Sequence, residues 1–295
     1  MHAFIDNYSV AMTALLTKNY RWFSDSIDSP GFRDQLRDIA ITLPTVEGER
    51  FYEIDATSSE GRLDPAFHVV KWHGPEYPTI IYHHGNNENP FNYGRASKNT
   101  FKSILYKNKD EIDANLISLR APYHNNDMKY YFKKMARLSE FTAMLSTSVN
   151  LVESLVQMLQ NSGCSRVAVA GLSLGGWVTN LHRSFYNSAN LYIPIFAGAS
   201  LGELFLTSCY QQLSSDLAKG NPEIIRTCLN FDQEFKKIED DNVYPLLAKF
   251  DQIIEYNVQS LCYEKQQVAV INKGHITGAL SSDALREHIL RYALA

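Results

Sequence analysis

Val169-Ala170-Gly171-Leu172-Ser173-Leu174-Gly175-Gly176 is the stretch on which the reading of this chain turns. It holds a G-x-S-x-G pattern, after the strand-like run Arg166 to Ala170 and before a helical period from Leu174 to Tyr186. A serine on such a tight strand-to-helix turn projects its hydroxyl beyond the sheet, at the N-terminus of the next helix. Glycines two residues either side let the neighbouring elements approach without a Cβ clash. The backbone N–H of Leu174 faces the same space, and the helix dipole favours negative charge there. A tight turn with a capping serine would leave the same letters, so the flanking chain has to decide between the two.

Working outward, buried strands and helices alternate. Pro78 to His83, Ala114 to Leu119, Arg166 to Ala170, Leu191 to Ala197, Val243 to Phe250 and Gln267 to Ile271 read as strands. Ala96 to Tyr106, Ser139 to Gln160, Leu174 to Tyr186, Ile254 to Cys262 and Asp283 to Ala293 read as helices. This alternation predicts an α/β fold with a mostly parallel central sheet and helices on both faces. Pro194 is a blemish in its strand, because it cannot donate to a ladder. Upstream, Arg50 to Ala56 and Phe67 to Trp72 suit an antiparallel hairpin across the turn-prone Ser58 to Asp64. The stretch 200–242 is too long for a bare connection and carries helical patches, which predicts a small helical cap insertion. At the start of the chain, Phe4, Tyr8, Met12, Leu15 and Leu16 recur at helical spacing, a stripe expected to pack into the core. Pro30-Gly31 breaks the chain after it.

A serine at its ordinary pKa is a weak nucleophile and needs a base oriented by a third group. In an α/β sheet of this kind the order is serine, acid, histidine. Asp251 follows the strand ending at Phe250, and His275 follows the strand ending at Ile271. Both fall beyond carboxyl ends of parallel strands, where ligands bind in open α/β sheets. Asp240 and Asp241 precede their strand and lie at the wrong edge. Glu255 is a turn further on and is the fallback acid. His182 and His288 fall within helices and read as packing or surface residues.

A fourth element is Ile80-Ile-Tyr-His-His-Gly-Asn-Asn87, at the end of the first central strand. Gly85 lets the chain turn so that a following N–H, that of Asn86, joins Leu174 N–H in a two-donor oxyanion hole. His84 and Gly85 border the same space as candidate substrate contacts. Metal binding by His83, His84 and His124 is the rival, but neighbouring histidines on a strand point to opposite faces, so no metal is expected. Arg120, Tyr123 and His124 follow the next strand and are further candidate substrate contacts. The alternative there is a loop stiffened by Pro122 and Tyr123.

Composition narrows the function classes. The chain has 295 residues, 28 basic against 32 acidic side chains, 45% hydrophobic and 20% charged. That is enough apolar material for a folded chain, and there is no basic excess to neutralise a phosphate backbone, so nucleic acid is not expected as a partner. Cys164, Cys209, Cys228 and Cys262 show no C-x-x-C spacing and are expected to be reduced thiols of a cytoplasmic protein. Neither a signal peptide nor a membrane span is expected.

From about residue 50 to its end the chain resembles the α/β-hydrolases, on the strength of the His-His-Gly segment, the Gly-Leu-Ser-Leu-Gly-Gly turn and the positions of Asp251 and His275. The resemblance implies an eight-stranded sheet, with a hairpin preceding the parallel strands. It implies Ser173 as nucleophile, His275 as base and Asp251 as its orienter, with no cofactor. One departure is that lipase-like members carry a run of glycines where Gly85 is here followed by Asn86-Asn87. Residues 1–45 lie outside the resemblance and are expected to form an N-terminal helical extension to a 46–295 hydrolase domain. The expected activity is cleavage of a small-molecule carboxylic ester or related acyl compound. The alternatives are a peptidase or acyltransferase of the same fold, or a non-catalytic binding relative.

Overall fold

Short apolar runs bounded by turn formers become the central strands. The computed structural model describes residues 1–17, 20–46, 48–97, 99–125 and 128–295. Along the chain its elements begin with α1 (His2–Leu16), α2 (Phe32–Asp38), β1 (Ala40–Thr42), β2 (Phe51–Glu53), β3 (Asp55–Ser58), β4 (Gly61–Leu63), β5 (Ala66–Lys71) and β6 (Thr79–His83). Next are α3 (Thr100–Ile104), β7 (Asn115–Arg120), α4 (Met128–Lys134), α5 (Leu138–Asn161), β8 (Val167–Leu172), α6 (Leu174–Phe185) and β9 (Leu191–Ile195). Between β9 and β10 lie only helices: α7 (Leu201–Leu206), α8 (Asp216–Gly220), α9 (Pro222–Leu229) and α10 (Asp232–Lys236), with a 3-10 turn at Cys209–Leu213. The chain then runs β10 (Leu246–Ala248), α11 (Tyr256–Gln259), β11 (Ala269–Ile271), α12 (His275–Ala279) and α13 (Ser282–Ala293).

Eight strands form one sheet in the order β11-β10-β9-β8-β6-β7-β5-β2. From β11 to β7 all neighbours are parallel. At the other edge β5 runs antiparallel to both β7 and β2. The expected pairing of the two early strands is therefore present, as β2 with β5. The turn-prone stretch between them folds into part of a separate three-stranded antiparallel sheet, β1-β3-β4, which the sequence reading did not foresee. Strand alternation splits the core in two. Ile80 and Tyr82 of β6 join Ala168, Ala170 and Ile193 against α3 and α13. Ile81, Val167, Val169 and Tyr192 face the other way, with α5 and α6. All of the apolar residues that marked α5 in the sequence, Phe141, Met144, Val149, Val152, Leu155 and Leu159, are buried.

Pro194 sits in β9 at the middle of the sheet without breaking it. On the β10 side the bonds are made two residues away in either direction, by Tyr192 N to Asn242 O (2.8 Å) and Phe196 N to Leu246 O (2.8 Å). The missing donor falls between them, where β10 pairs with β9 at a single position, Leu246 with Ile195.

The N-terminal stripe corrects its expectation. Phe4, Tyr8, Met12, Leu15 and Leu16 lie on the outside of α1, Phe4 at 71% and Leu16 at 79% exposure. What α1 buries is Asp6 and Val10. Helical spacing shows that one face is apolar but not which face the protein covers. Here the polar side of the helix finds partners: His2 Nδ1 lies 2.9 Å from Thr277 Oγ1, and the Asp6 carboxylate is wholly buried. Among the described residues no helix is long and apolar enough to cross a membrane, and all four cysteines are free.

Two substitutions separate core from surface. Ile289→Ala, on the buried face of α13, is expected to cost about 2–5 kcal/mol. Leu16→Ala is expected to stay within about 0.5 kcal/mol of the parent. Urea-unfolding midpoints at matched slope check both.

Candidate active site

Four of the six described non-glycine residues with positive φ stand just past carboxyl ends of sheet strands: Asn87 after β6, Tyr123 after β7, Ser173 after β8 and Phe196 after β9. Such conformations cost on the order of 1–3 kcal/mol each and persist only where the surroundings over-determine them. Ser173 has φ 55° and ψ −109° and leads directly into α6. Its N–H donates to Ile195 O at 2.8 Å, which ties the turn to the end of β9. The flanking glycines are required by contact. A Cβ at Gly171 would lie 2.3 Å from the carbonyl of Gly175, and one at Gly175 would lie 2.1 Å from His83 O. A Cβ at Gly176 would meet Ala197 and Ile195 O at 2.7 Å. The start of α6 thus rests on the ends of β6 and β9 with no room for a side chain.

The hydroxyl so presented meets the two other predicted partners. Ser173 Oγ lies 3.1 Å from His275 Nε2, and His275 Nδ1 lies 2.8 Å from Asp251 Oδ2. The other Asp251 oxygen accepts N–H bonds from Ile253 (2.8 Å) and Ile254 (2.7 Å). With Nδ1–H donating to the carboxylate, Nε2 is left to accept the serine proton. Asp251 and His275 are buried, while Ser173 remains partly accessible. Burial alone would lower the pKa of His275, but the charge and hydrogen bond of Asp251 outweigh it, Asp6 adds to them, and the imidazole is raised above its usual value. The fallback acid Glu255 accepts a bond from Thr207 instead. His182 bonds Glu153 and Tyr192, and His288 bonds Tyr244 O.

Leu174 is the first residue of α6, so its N–H has no partner within the helix. Among the described residues neither the Leu174 N–H nor the Asn86 N–H is hydrogen-bonded to another protein group. Gly85 N–H is engaged by Glu88 Oε1 at 3.1 Å, so it is the less suitable donor of that loop. Glu88 also accepts from Thr100 N at 2.8 Å, and burial pushes its carboxyl up to about 7. The Asn86 side chain is held by two tyrosines. Tyr131 OH donates to its Oδ1 at 2.6 Å, and its Nδ2 donates to Tyr210 OH at 3.4 Å.

The other sequence candidates make hydrogen bonds or ion pairs within the protein. His84 is fully buried, with Nδ1 donating to Gly85 O (2.6 Å) and Nε2 accepting from Ala121 N (3.0 Å). Tyr123 OH donates to Glu140 Oε2 at 2.5 Å, and its N–H goes to Asp64. His124 Nδ1 donates to Pro122 O, and its Nε2 lies 3.3 Å from Asn86 Oδ1. Arg120 pairs with Glu53 on the strand side. Nor do His83 and His84 diverge. The strand ends at His83, and their rings stack at 4.8 Å, with His124 4.7 Å beyond. Burial lowers all three, His83 and His124 to about 4, so they stand as neutral hydrogen-bonding groups at neutral pH.

Sequence reasoning missed Asp6, Glu88, Tyr131 and Tyr210. Asp6 carried a signal, as the only acidic or basic residue besides His2 in α1. It accepts from Gln252 N (3.2 Å), His275 N (2.8 Å) and Ile276 N (3.0 Å). The tyrosines carried none, because nothing local sets them apart from core aromatics.

No protein-family model and no curated protein matches the sequence. Solved structures do match the fold. Acetyl xylan esterase 1 from Thermoanaerobacterium sp. JW/SL YS485 gives a TM-score of 0.55 at 14% identity, over 92% of this chain and 96% of the esterase. The acylaminoacyl peptidase of Pyrococcus horikoshii gives 0.55 at 17% identity, over 86% of this chain and 41% of the peptidase. Est1E from Butyrivibrio proteoclasticus gives 0.53 at 13% identity, over 86% of this chain and 99% of the other. At these identities the likeness is one of fold, and the chain has the α/β-hydrolase fold.

Gly175→Ala is expected to destabilise by about 1–3 kcal/mol or more, since backbone on both sides must shift. Gly220→Ala, with open space around it, is expected to be neutral or slightly stabilising. Denaturant titrations of the two variants against the parent check the contrast.

Proposed function

We propose that this protein is a serine hydrolase that cleaves a carboxylic ester or a related acyl bond. The reading rests chiefly on one observation, the unbroken hydrogen-bond line from Asp251 through His275 to the strained, partly accessible Ser173. The same residues were expected from the G-x-S-x-G turn, the strand ends and the chain order of the sequence.

In this mechanism His275 Nε2 takes the proton of Ser173 Oγ as the oxygen attacks the substrate carbonyl. The new C–O bond converts the carbonyl to a tetrahedral oxyanion, held by the N–H groups of Leu174 and Asn86. Such a donor is worth about 3–4 kcal/mol when aimed at the transition state. His275 returns the proton to the leaving oxygen or nitrogen as that bond breaks, leaving an acyl-serine. A water then repeats the sequence, with His275 as base, and releases the acid. Asp251 holds the imidazole in the required tautomer and stabilises its cation. The loop carrying Asn86 is braced by Glu88, Tyr131 and Tyr210, so the second donor belongs to a fixed turn rather than a glycine run. The four free cysteines suit a reducing compartment such as the cytosol.

Peptide cleavage is the second reading, favoured by the acylaminoacyl peptidase among the fold's neighbours. A panel of p-nitrophenyl esters graded by acyl length, run beside aminoacyl anilides, separates the two. A non-catalytic binding role is the outcome if neither set turns over and Ser173 resists acylation.

Intact-mass measurement after fluorophosphonate treatment is expected to find one adduct on the parent and none on Ser173→Ala. Asp251→Asn is expected to lower kcat by about 10⁴-fold while the fold is kept. The pH dependence has a definite sign. A histidine raised above 6.5 is protonated, and unable to accept the serine proton, at lower pH. The labelling rate should therefore rise with pH through a midpoint above 6.5, and a midpoint well below that value would contradict the electrostatics of the site.

A further inference from the structure

Helix α1 offers one carboxylate, Asp6, and buries it completely. A buried carboxylate needs partners, and among the described residues the hydrogen bonds Asp6 accepts come from backbone N–H groups on the two loops that carry the candidate acid and base. Gln252 directly follows Asp251, at the end of β10. His275 and Ile276 open α12, at the end of β11. Asp6 Oδ2 accepts from Gln252 N and His275 N, and Oδ1 accepts from Ile276 N.

The first N–H groups of a helix need acceptors from outside it, usually from a side chain at the N-cap. The N-cap of α12 is Gly274, which has none to offer. Asp6 supplies the missing acceptor from 269 residues away in sequence. Gly274 is also what makes room for it, because a Cβ at that position would lie 2.6 Å from Asp6 Oδ2. The side chain of Thr277 completes the join, accepting from Gly274 N (3.0 Å) and lying 2.9 Å from His2 Nδ1.

We infer that Asp6 is a positioning residue of the active site: delivered by α1, its carboxylate clamps the Asp251 loop to the His275 loop and so sets the line from Asp251 through His275 to Ser173. The inference rests on the serine-hydrolase reading and adds that residues 1–16 are a working part of the site. Asp6 touches no reacting atom and acts through the backbone of His275. Its charge acts in the same direction as that of Asp251, favouring the imidazolium. The other titratable groups around the pair are His2 on α1, Cys209 in the 3-10 turn, Glu255 before α11 and Lys273 ahead of Gly274.

The test uses the full chain. Fluorophosphonate labelling of Ser173 is timed across pH for the parent, Asp6→Asn, Gly274→Ala and Asn7→Ala, with kcat and KM on p-nitrophenyl acetate. Asp6→Asn removes the charge and one acceptor at constant size. Gly274→Ala displaces the carboxylate without altering it. Asn7→Ala changes the exposed neighbour. Both of the first two are expected to slow labelling by about 10- to 100-fold, through kcat rather than KM. Both are also expected to move the acid limb to lower pH, while Asn7→Ala matches the parent. Asp6→Asn labelling at the parental rate with an unmoved acid limb would overturn the inference, as would equal slowing by Asn7→Ala. If Asp6→Asn does not fold, Gly274→Ala decides by the same criteria. If the parent itself is not labelled, the hydrolase reading fails. The clamp is then judged by NMR titration of His275, where a lower pKa in Asp6→Asn supports it and an unchanged one overturns it.

Discussion

The close seating of the α6 N-terminus on the ends of β6 and β9 is the constraint from which the rest of the site follows. Ser173 is held at a left-handed φ, and that conformation survives because Ile195 O takes its N–H and because Gly171, Gly175 and Gly176 leave no gap to relax into. A serine placed this way has its hydroxyl above the sheet and a free helix N–H beside it. Its hydrogen-bond partners come to that point from other strand ends: His275 from beyond β11, held in turn by Asp251 from beyond β10.

Rigid polar packing keeps those loops in place. Buried His83, His84 and His124 stay neutral and spend their Nδ1 protons on nearby carbonyls. The loop after β6 is gripped from three sides, by Glu88 at Gly85 and by Tyr131 and Tyr210 at Asn86. Tyr210 comes from the helical stretch between β9 and β10, and Trp22 beside it bonds the same stretch through Leu213 O at 2.9 Å. The N-terminal segment, the inserted helices and the sheet edge thus meet around one asparagine. Paired groups of this kind favour a single arrangement, because each buried polar group is costly to leave unpaired; His83 Nε2 and Trp22 Nε1 are buried here without a hydrogen-bond partner among the described residues.

Helix α1 shows how pairing of polar groups can override an apolar pattern. Its stripe of Phe4, Tyr8, Met12, Leu15 and Leu16 is turned out, while Asp6 and His2 are turned in to hydrogen-bond partners. The deciding contacts are backbone N–H groups at the start of α12, which lack a local cap. A carboxylate that satisfies two such donors, and Gln252 N besides, forms charge-assisted bonds stronger than neutral ones.

What the sequence determined by itself was whatever is encoded locally and in order. The alternation of apolar strands and periodic helices specified a mostly parallel sheet. The G-x-S-x-G turn marked Ser173, and strand ends followed by Asp251 and His275 marked the candidate acid and base, because chain order and strand direction together say which edge a loop reaches. The tertiary structure alone decided how those loops are held. Asp6 meets His275 across 269 positions, and Tyr131 and Tyr210 converge on Asn86 from separate elements. The inward commitment of His84, Tyr123 and His124, and the outward face of α1, belong to the same class. Each is a question of which of several chemically suitable partners lies within about 3 Å, the reach of a hydrogen bond. Periodicity and motif carry no information at that range between elements distant in the chain.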